Sequence, residues 1–135
     1  IHAAIGRVQL SKLPAWTRQR QANADYLTQH LSGVVTPAVR PGAVPVWHQY
    51  TIRIADDRDG FVQALKDEYQ IGAGVYYPIP NHQLRSLAKF APGLDLPQTA
   101  QAAAEVVSLP VHPSLTSADL ERICTAVNQL AKAGA

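Results

Sequence analysis

One short stretch gathers groups that can do chemistry: Tyr76-Tyr77-Pro78-Ile79-Pro80-Asn81-His82, led in by Gly74-Val75. Phenol and imidazole groups both donate and accept hydrogen bonds, so on a stiff loop they suit a polyhydroxylated ligand. Two prolines at alternate positions stiffen it and reduce the entropy lost when such a loop is fixed in one shape. The same residues also suit the flank of a sheet, one tyrosine packed inside, the other outside, with His82 in a turn. Local sequence by itself favours that structural role.

A second stretch, Ser108-Leu109-Pro110-Val111-His112-Pro113, sets an imidazole between prolines. His112 there is read as bonding a neighbouring loop rather than a ligand. His48 falls on the apolar side of an alternating segment, where a histidine is more often a satisfied core residue than a ligand. His2 and His30 sit on predicted helices and carry no functional reading. No pair of histidines has a carboxylate at metal-ligand spacing, and neither a Gly-x-Ser-x-Gly elbow nor a phosphate-cradling glycine loop occurs. Paired carboxylates, Asp56/Asp57 and Asp67/Glu68, lie near predicted helix ends and read as solvated.

The elements that position these residues follow from periodicity and punctuation. Residues 1–12 and Pro14–Leu31 read as helical, two helices or one long helix kinked at Pro14. Leu13, Trp16, Ala24, Leu27 and Leu31 share one face of it, and Gly33 is a natural stop. Pro37, Pro41, Gly42 and Pro45 mark an irregular connection. Val46–Ile54 alternates as a strand, with Val46, His48, Tyr50, Ile52 and Ile54 on one side and Trp47, Gln49, Thr51 and Arg53 on the other. Asp56-Asp57-Arg58-Asp59 opens a helix to about Tyr69, with Phe61, Val62, Leu65 and Tyr69 inward. Ile71–Tyr77 reads as a second strand, weakened by Gly72 and Gly74. Asn81 opens a short helix to about Lys89, and Pro97 opens another to about Glu105. Val106–Val111 is a third strand, which Pro110 assigns to a sheet edge. Thr116-Ser117-Ala118-Asp119 is a capping-box pattern before a last helix striped by Leu120, Ile123, Cys124, Val127 and Leu130. The fold class is therefore α/β (α+β): a small, mostly antiparallel or mixed sheet of about three strands packed by helices.

The chain has 135 residues, enough for one domain and one core. Residues 1–32 form a linking helix region and 33–135 a small α/β unit. Only 16% of residues are charged, below the ~25% usual for soluble domains, as expected either if part of the surface meets another domain or from an alanine-rich composition alone. Basic residues are scattered without interleaved aromatics, which argues against nucleic acid. Cys124 is the only cysteine, so no internal disulfide or cysteine metal cluster forms, in keeping with a cytoplasmic location. No apolar run reaches the ~20 residues of a membrane span. The sequence lacks methionine and opens inside a predicted helix. Both features predict a fragment of a longer protein whose N-terminal part precedes Ile1.

Several stretches carry a family resemblance. Ala3-Ala4-Ile5-Gly6-Arg7-Val8-Gln9-Leu10-Ser11-Lys12-Leu13 resembles the segment leading into the C-terminal domain of DegT/DnrJ/StrS-type sugar aminotransferases. Arg18-Gln19-Arg20-Gln21-Ala22-Asn23-Ala24 resembles the family's next helix, and Trp47-His48-Gln49-Tyr50 its first small-domain strand. Ile71 through His82 is similar to its most recognisable motif, and Val107 through Pro113 to a third. The resemblance spans nearly the whole chain. It implies the C-terminal small domain of an aspartate-aminotransferase-like (type I) fold, in an enzyme that uses pyridoxal phosphate to move an amino group from glutamate or glutamine to a nucleotide-linked keto sugar. It implies an N-terminal large domain as partner, a homodimer, and a coenzyme-binding lysine, a pyridine-pairing aspartate and a ring-stacking aromatic all upstream of residue 1. No catalytic, cofactor-binding or metal residue is then expected in this chain. Tyr76, Tyr77 and His82, and more weakly His48, are expected to bind substrate. The position of Tyr76 is often histidine in the family, so this residue departs from the family's pattern. The alternative is a stand-alone ligand-binding or structural module that kept the fold without catalysis. An autonomous enzyme using Tyr77 and His82 as acid and base lacks a nucleophile or a cofactor site.

Overall fold

The computed structural model describes residues 1–133. One helix, α1, runs without a break from His2 to His30 with Pro14 inside it. Its two halves differ. Asn23, Ala24 and Leu27 are buried, whereas residues 1–16 are all exposed. Leu13 and Trp16, expected on the buried face, are instead 50% and 36% exposed, because the rest of the described chain packs only against the second half of the helix.

Among the described residues two strands form the sheet. β1 (Tyr50–Arg53) pairs antiparallel with β2 (Val106–Leu109), Tyr50 opposite Leu109 and Arg53 opposite Val106. Single bridges extend it on both sides, Val35 to Arg53 and Gly74 to Ser108. The expected second strand over Ile71–Tyr77 is therefore reduced to one bridge. Gly72 and Gly74 contribute no cross-strand side-chain pair, and the Tyr76 ring folds back over Gly74, where a Cβ would lie 2.9 Å from the ring. The expected edge position of the last strand is also corrected: β2 lies between β1 and the Gly74 bridge, and Pro110 falls past its end.

The first strand is shorter than its alternation suggested. Trp47 takes a left-handed backbone (φ 49°), which breaks the period-two register ahead of Tyr50. Trp47 packs against the core and tilts on Tyr50, ring centres 5.4 Å apart. His48, expected on the apolar face, is exposed.

Three further helices complete the fold: α2 (Arg58–Asp67), α3 (Pro97–Glu105) and α4 (Ser117–Ala133). The expected helix from Asn81 to Lys89 is instead two separate 3-10 turns, Asn81–Gln83 and Ala88–Phe90, neither with a capping side chain. The core joins Tyr50 and Ile52 of β1, Phe61 and Leu65 of α2, Val107 and Leu109 of β2, and Leu120, Ile123, Cys124 and Val127 of α4 to Ala24 and Leu27 of α1. Burial pushes the Cys124 thiol up to about 11. The capping box holds: Thr116 N–H donates to Asp119 Oδ2 (3.0 Å) and Asp119 N–H to Thr116 Oγ1 (3.2 Å). Close approach of the α1 exit to α4 falls at Gly33 (φ 74°), where a Cβ would lie 2.9 Å from that of Ala131. Among the described residues no helix is long and apolar enough to cross a membrane.

Candidate functional site

The two adjacent tyrosines go to different places. Tyr77 joins Ile79, Pro80, Asn81 and His82 along one wall of a groove of about 510 Å³. The opposite wall is α3 and the start of β2: Leu96, Thr99, Ala102, Ala103 and Val106. Tyr76 instead lines a neighbouring recess of about 470 Å³ with Gly72–Gly74, Ser108, Pro110 and His112. The chain bends at Tyr76, and the two neighbouring rings line separate cavities.

Local structure explains the groove. The Gly74 N–H donates to the Ser108 carbonyl at 2.9 Å and Ser108 N–H returns the bond at 2.8 Å, so the chain leaves the sheet at a fixed point just before the tyrosines. Pro80 is buried, anchoring the loop, and the turn closes with Gln83 N–H on the Pro80 carbonyl (2.9 Å). His82 is half-buried, whereas Tyr77 is 72% exposed. On the other wall, Leu96, Thr99, Ala103 and Val106 recur at three- and four-residue spacing, one face of a helix. Small side chains on that face leave the space that the groove occupies.

Chemically the groove is mostly apolar with a few polar tips, the usual make-up of a small-molecule site. The Tyr77 phenol, His82 imidazole, Asn81 amide and Thr99 hydroxyl can bond hydroxyl groups, while Ile79, Leu96, Ala102 and Ala103 offer aliphatic surface. Sequence reading missed Thr99. It fixed the helix but not its face, although the spacing of Leu96, Thr99, Ala103 and Val106 carried that signal.

The other expected residues are dispersed. His48 is exposed and does not line either of these two cavities. The His112 side chain is exposed, and its carbonyl accepts from Asn23 Nδ2 at 2.9 Å. That bond ties the Pro-Val-His-Pro loop to α1 through the backbone carbonyl, not through the imidazole bond to a neighbouring loop that the sequence suggested. Among the described residues no group of three histidine, cysteine or acidic side chains is placed to hold a metal.

A model of the DegT/DnrJ/EryC1/StrS aminotransferase family matches residues 1–128. The chain belongs to this family. Solved structures agree. The chain is 33% identical to DesV of S. venezuelae, solved with a ketimine intermediate, covering 96% of this chain and 36% of DesV at a TM-score of 0.88. It is 28% identical to the aminotransferase TlmJ from Streptoalloteichus hindustanus, covering 98% of this chain and 36% of TlmJ at 0.87. A DegT/DnrJ/EryC1/StrS aminotransferase from Brucella abortus is 29% identical, with 90% and 32% covered at 0.81. The chain thus spans about a third of the length of these structures.

Pyridoxal phosphate requires a lysine of lowered pKa beside a cavity that holds the coenzyme. Lys12, Lys66, Lys89 and Lys132 are all exposed, and none lines the groove or the recess. Lys12 and Lys89 lie over the rings of Trp16 and Phe90 on the surface. The residues of this chain do not fit covalent attachment of the coenzyme, and no reaction step through it is assigned to them.

Proposed function

We propose that this chain is the C-terminal small domain of a pyridoxal-phosphate-dependent nucleotide-sugar aminotransferase and forms one wall of its sugar cleft. In this reading an N-terminal large domain supplies the coenzyme lysine, glutamate is the amino donor, and two copies of the complete enzyme form a cytoplasmic homodimer. The observation that carries the reading is the convergence of Tyr77 and His82 on one groove in a chain of this family. Their work is to orient: Tyr77 and His82 hydrogen-bond sugar hydroxyls, Thr99 adds a third contact, and the α3 wall excludes water from the sugar face. Tyr76 lies next door, in the recess with His112, and is an outer contact. His48 is the weakest candidate.

The test uses the complete enzyme. Replacing His82 by Ala weakens binding of the nucleotide sugar by about ten-fold, the loss of one good hydrogen bond in a partly dry site. The half-reaction with glutamate keeps its rate. Equal loss in both half-reactions would make His82 structural and remove the assignment. The 135-residue chain alone does not transaminate; amino-group exchange by the purified chain, or an absorbance band of a lysine-linked coenzyme, would overturn the division of labour.

A further inference from the structure

The wall of the groove opposite Tyr77 is held by a residue that breaks a helix rule. Arg58 is the first residue of α2, where the positive end of the helix dipole disfavours a cation. It is nonetheless only 8% exposed, and burying a charge is costly unless it is paired and hydrogen-bonded. Its partners are specific. Nε donates to the Asp59 carboxylate, and Nη1 donates to the carbonyls of Ala103 (3.1 Å) and Val106 (3.0 Å). The Ala103 carbonyl is one of the last four of α3, which lack a partner inside their own helix, and the negative end of that dipole welcomes a cation. Ala103 and Val106 both line the groove. Two backbone groups of one wall thus hang on one guanidinium, 45 and 48 residues away in sequence.

Glu105, between them, is tied separately to Arg53 (Nη2 to Oε2, 2.6 Å). Arg53 has a partly exposed side chain, and such pairs contribute little. The Arg53 pair also touches only a side chain, whereas Arg58 grips the backbone on either side of the turn from α3 into β2.

We propose that Arg58 is a positioning residue for this groove: it sets the α3 wall against which Tyr77 and His82 hold the sugar. This rests on the reading of the groove as the sugar site. A planar fork can serve Asp59 and both carbonyls at once. A lysine ammonium keeps the charge but not that geometry, so Arg58→Lys lets the wall shift while most packing stays.

The experiment uses the complete, coenzyme-loaded enzyme and whichever of dTDP-glucose, UDP-glucose and GDP-mannose the wild type binds tightest. Arg58→Lys raises the Kd for that probe about five-fold, through loss of a charge-assisted bond, and leaves the glutamate half-reaction rate unchanged. Cys124→Ala, a core substitution away from the groove, lowers Tm but not probe affinity. Asp59→Ala, at an exposed position, removes the acceptor of Nε and gives the Arg58→Lys pattern at smaller amplitude. An unchanged Kd in Arg58→Lys, equal loss in both half-reactions, or the same Kd rise in Cys124→Ala overturns the assignment. Should Arg58→Lys not be recovered folded, an unchanged Kd in Asp59→Ala overturns it instead. Loss of affinity in His82→Ala without loss in Arg58→Lys removes only this inference. A wild-type enzyme that binds none of the three probes removes the sugar-site reading, and this inference with it.

Discussion

The sheet with its helices and the segment from Val75 to Leu96 treat their large side chains in opposite ways. Tyr50, Ile52, Leu65, Val107 and Val127 are sealed from solvent. Tyr76, Tyr77 and Phe90 are 60%, 72% and 74% exposed, on a stretch whose only regular structure is two 3-10 turns. One region uses its apolar surface for folding; the other keeps aromatic surface exposed, Tyr77 at the groove and Tyr76 at the recess beside it. If the groove is the sugar site proposed above, stability and recognition reside in different residues, and substitutions can pull them apart.

The widest separation comes from the sealed region. Leu65 of α2 is fully buried in the core, so Leu65→Ala leaves a cavity and costs about 2–5 kcal/mol. Urea denaturation reads this as a lower midpoint. Nucleotide-sugar affinity of whatever enzyme remains folded stays the same; a matching fall in affinity would show that core and groove are one cooperative unit.

A finer separation lies between the two tyrosines. Tyr77→Phe removes a hydroxyl from the groove with His82, and Tyr76→Phe removes one from the recess with His112. Both positions are exposed, so neither change moves stability by more than ~0.5 kcal/mol. Tyr77→Phe weakens nucleotide-sugar binding several-fold, about 1 kcal/mol for one hydrogen bond, and Tyr76→Phe weakens it less. The reverse order would move the sugar into the recess beside His112.

These contrasts also mark what could be read before the fold was seen. Apolar periods gave α2 and α4 nearly to the residue, because each buries one apolar stripe and α4 carries its own cap, while α3 was marked by Pro97 at its start. The strands were less legible. A single left-handed residue at Trp47 reverses the alternation that had put His48 inward, and nothing in its side chain announces that backbone. Gly72 and Gly74 did signal a weak strand, and it shrank to a bridge. The exposed half of α1 was invisible to pattern reading, since Leu13 and Trp16 keep helical spacing whether or not anything covers them. Within the groove, Tyr77 and His82 were visible as a motif. Arg58 was not, because its reach to Ala103 and Val106 depends on how α2 lies beside α3.

The smallest effect tests whether the end of α4 nearest the recess is independent of the groove. Asp119 accepts from the Thr116 N–H and from its hydroxyl (2.7 Å). The backbone bond foremost, then the hydroxyl bond, with the charges of Arg122 and His112 also contributing, holds its carboxyl below the usual aspartate range. A carboxyl that is more acidic folded than unfolded stabilises the fold while it is ionised. That contribution is complete above the ordinary aspartate value of about 3.9 and is lost as pH falls through the lower folded value. Asp119→Asn therefore unfolds at lower urea than wild type near neutrality, and the gap narrows below about pH 4. A gap that stays constant into strong acid would mean that the box acts through shape and not charge. Because the box lies outside the groove, nucleotide-sugar affinity at neutral pH is the same in both proteins; a drop would show that the turn after His112 and the sugar wall move together.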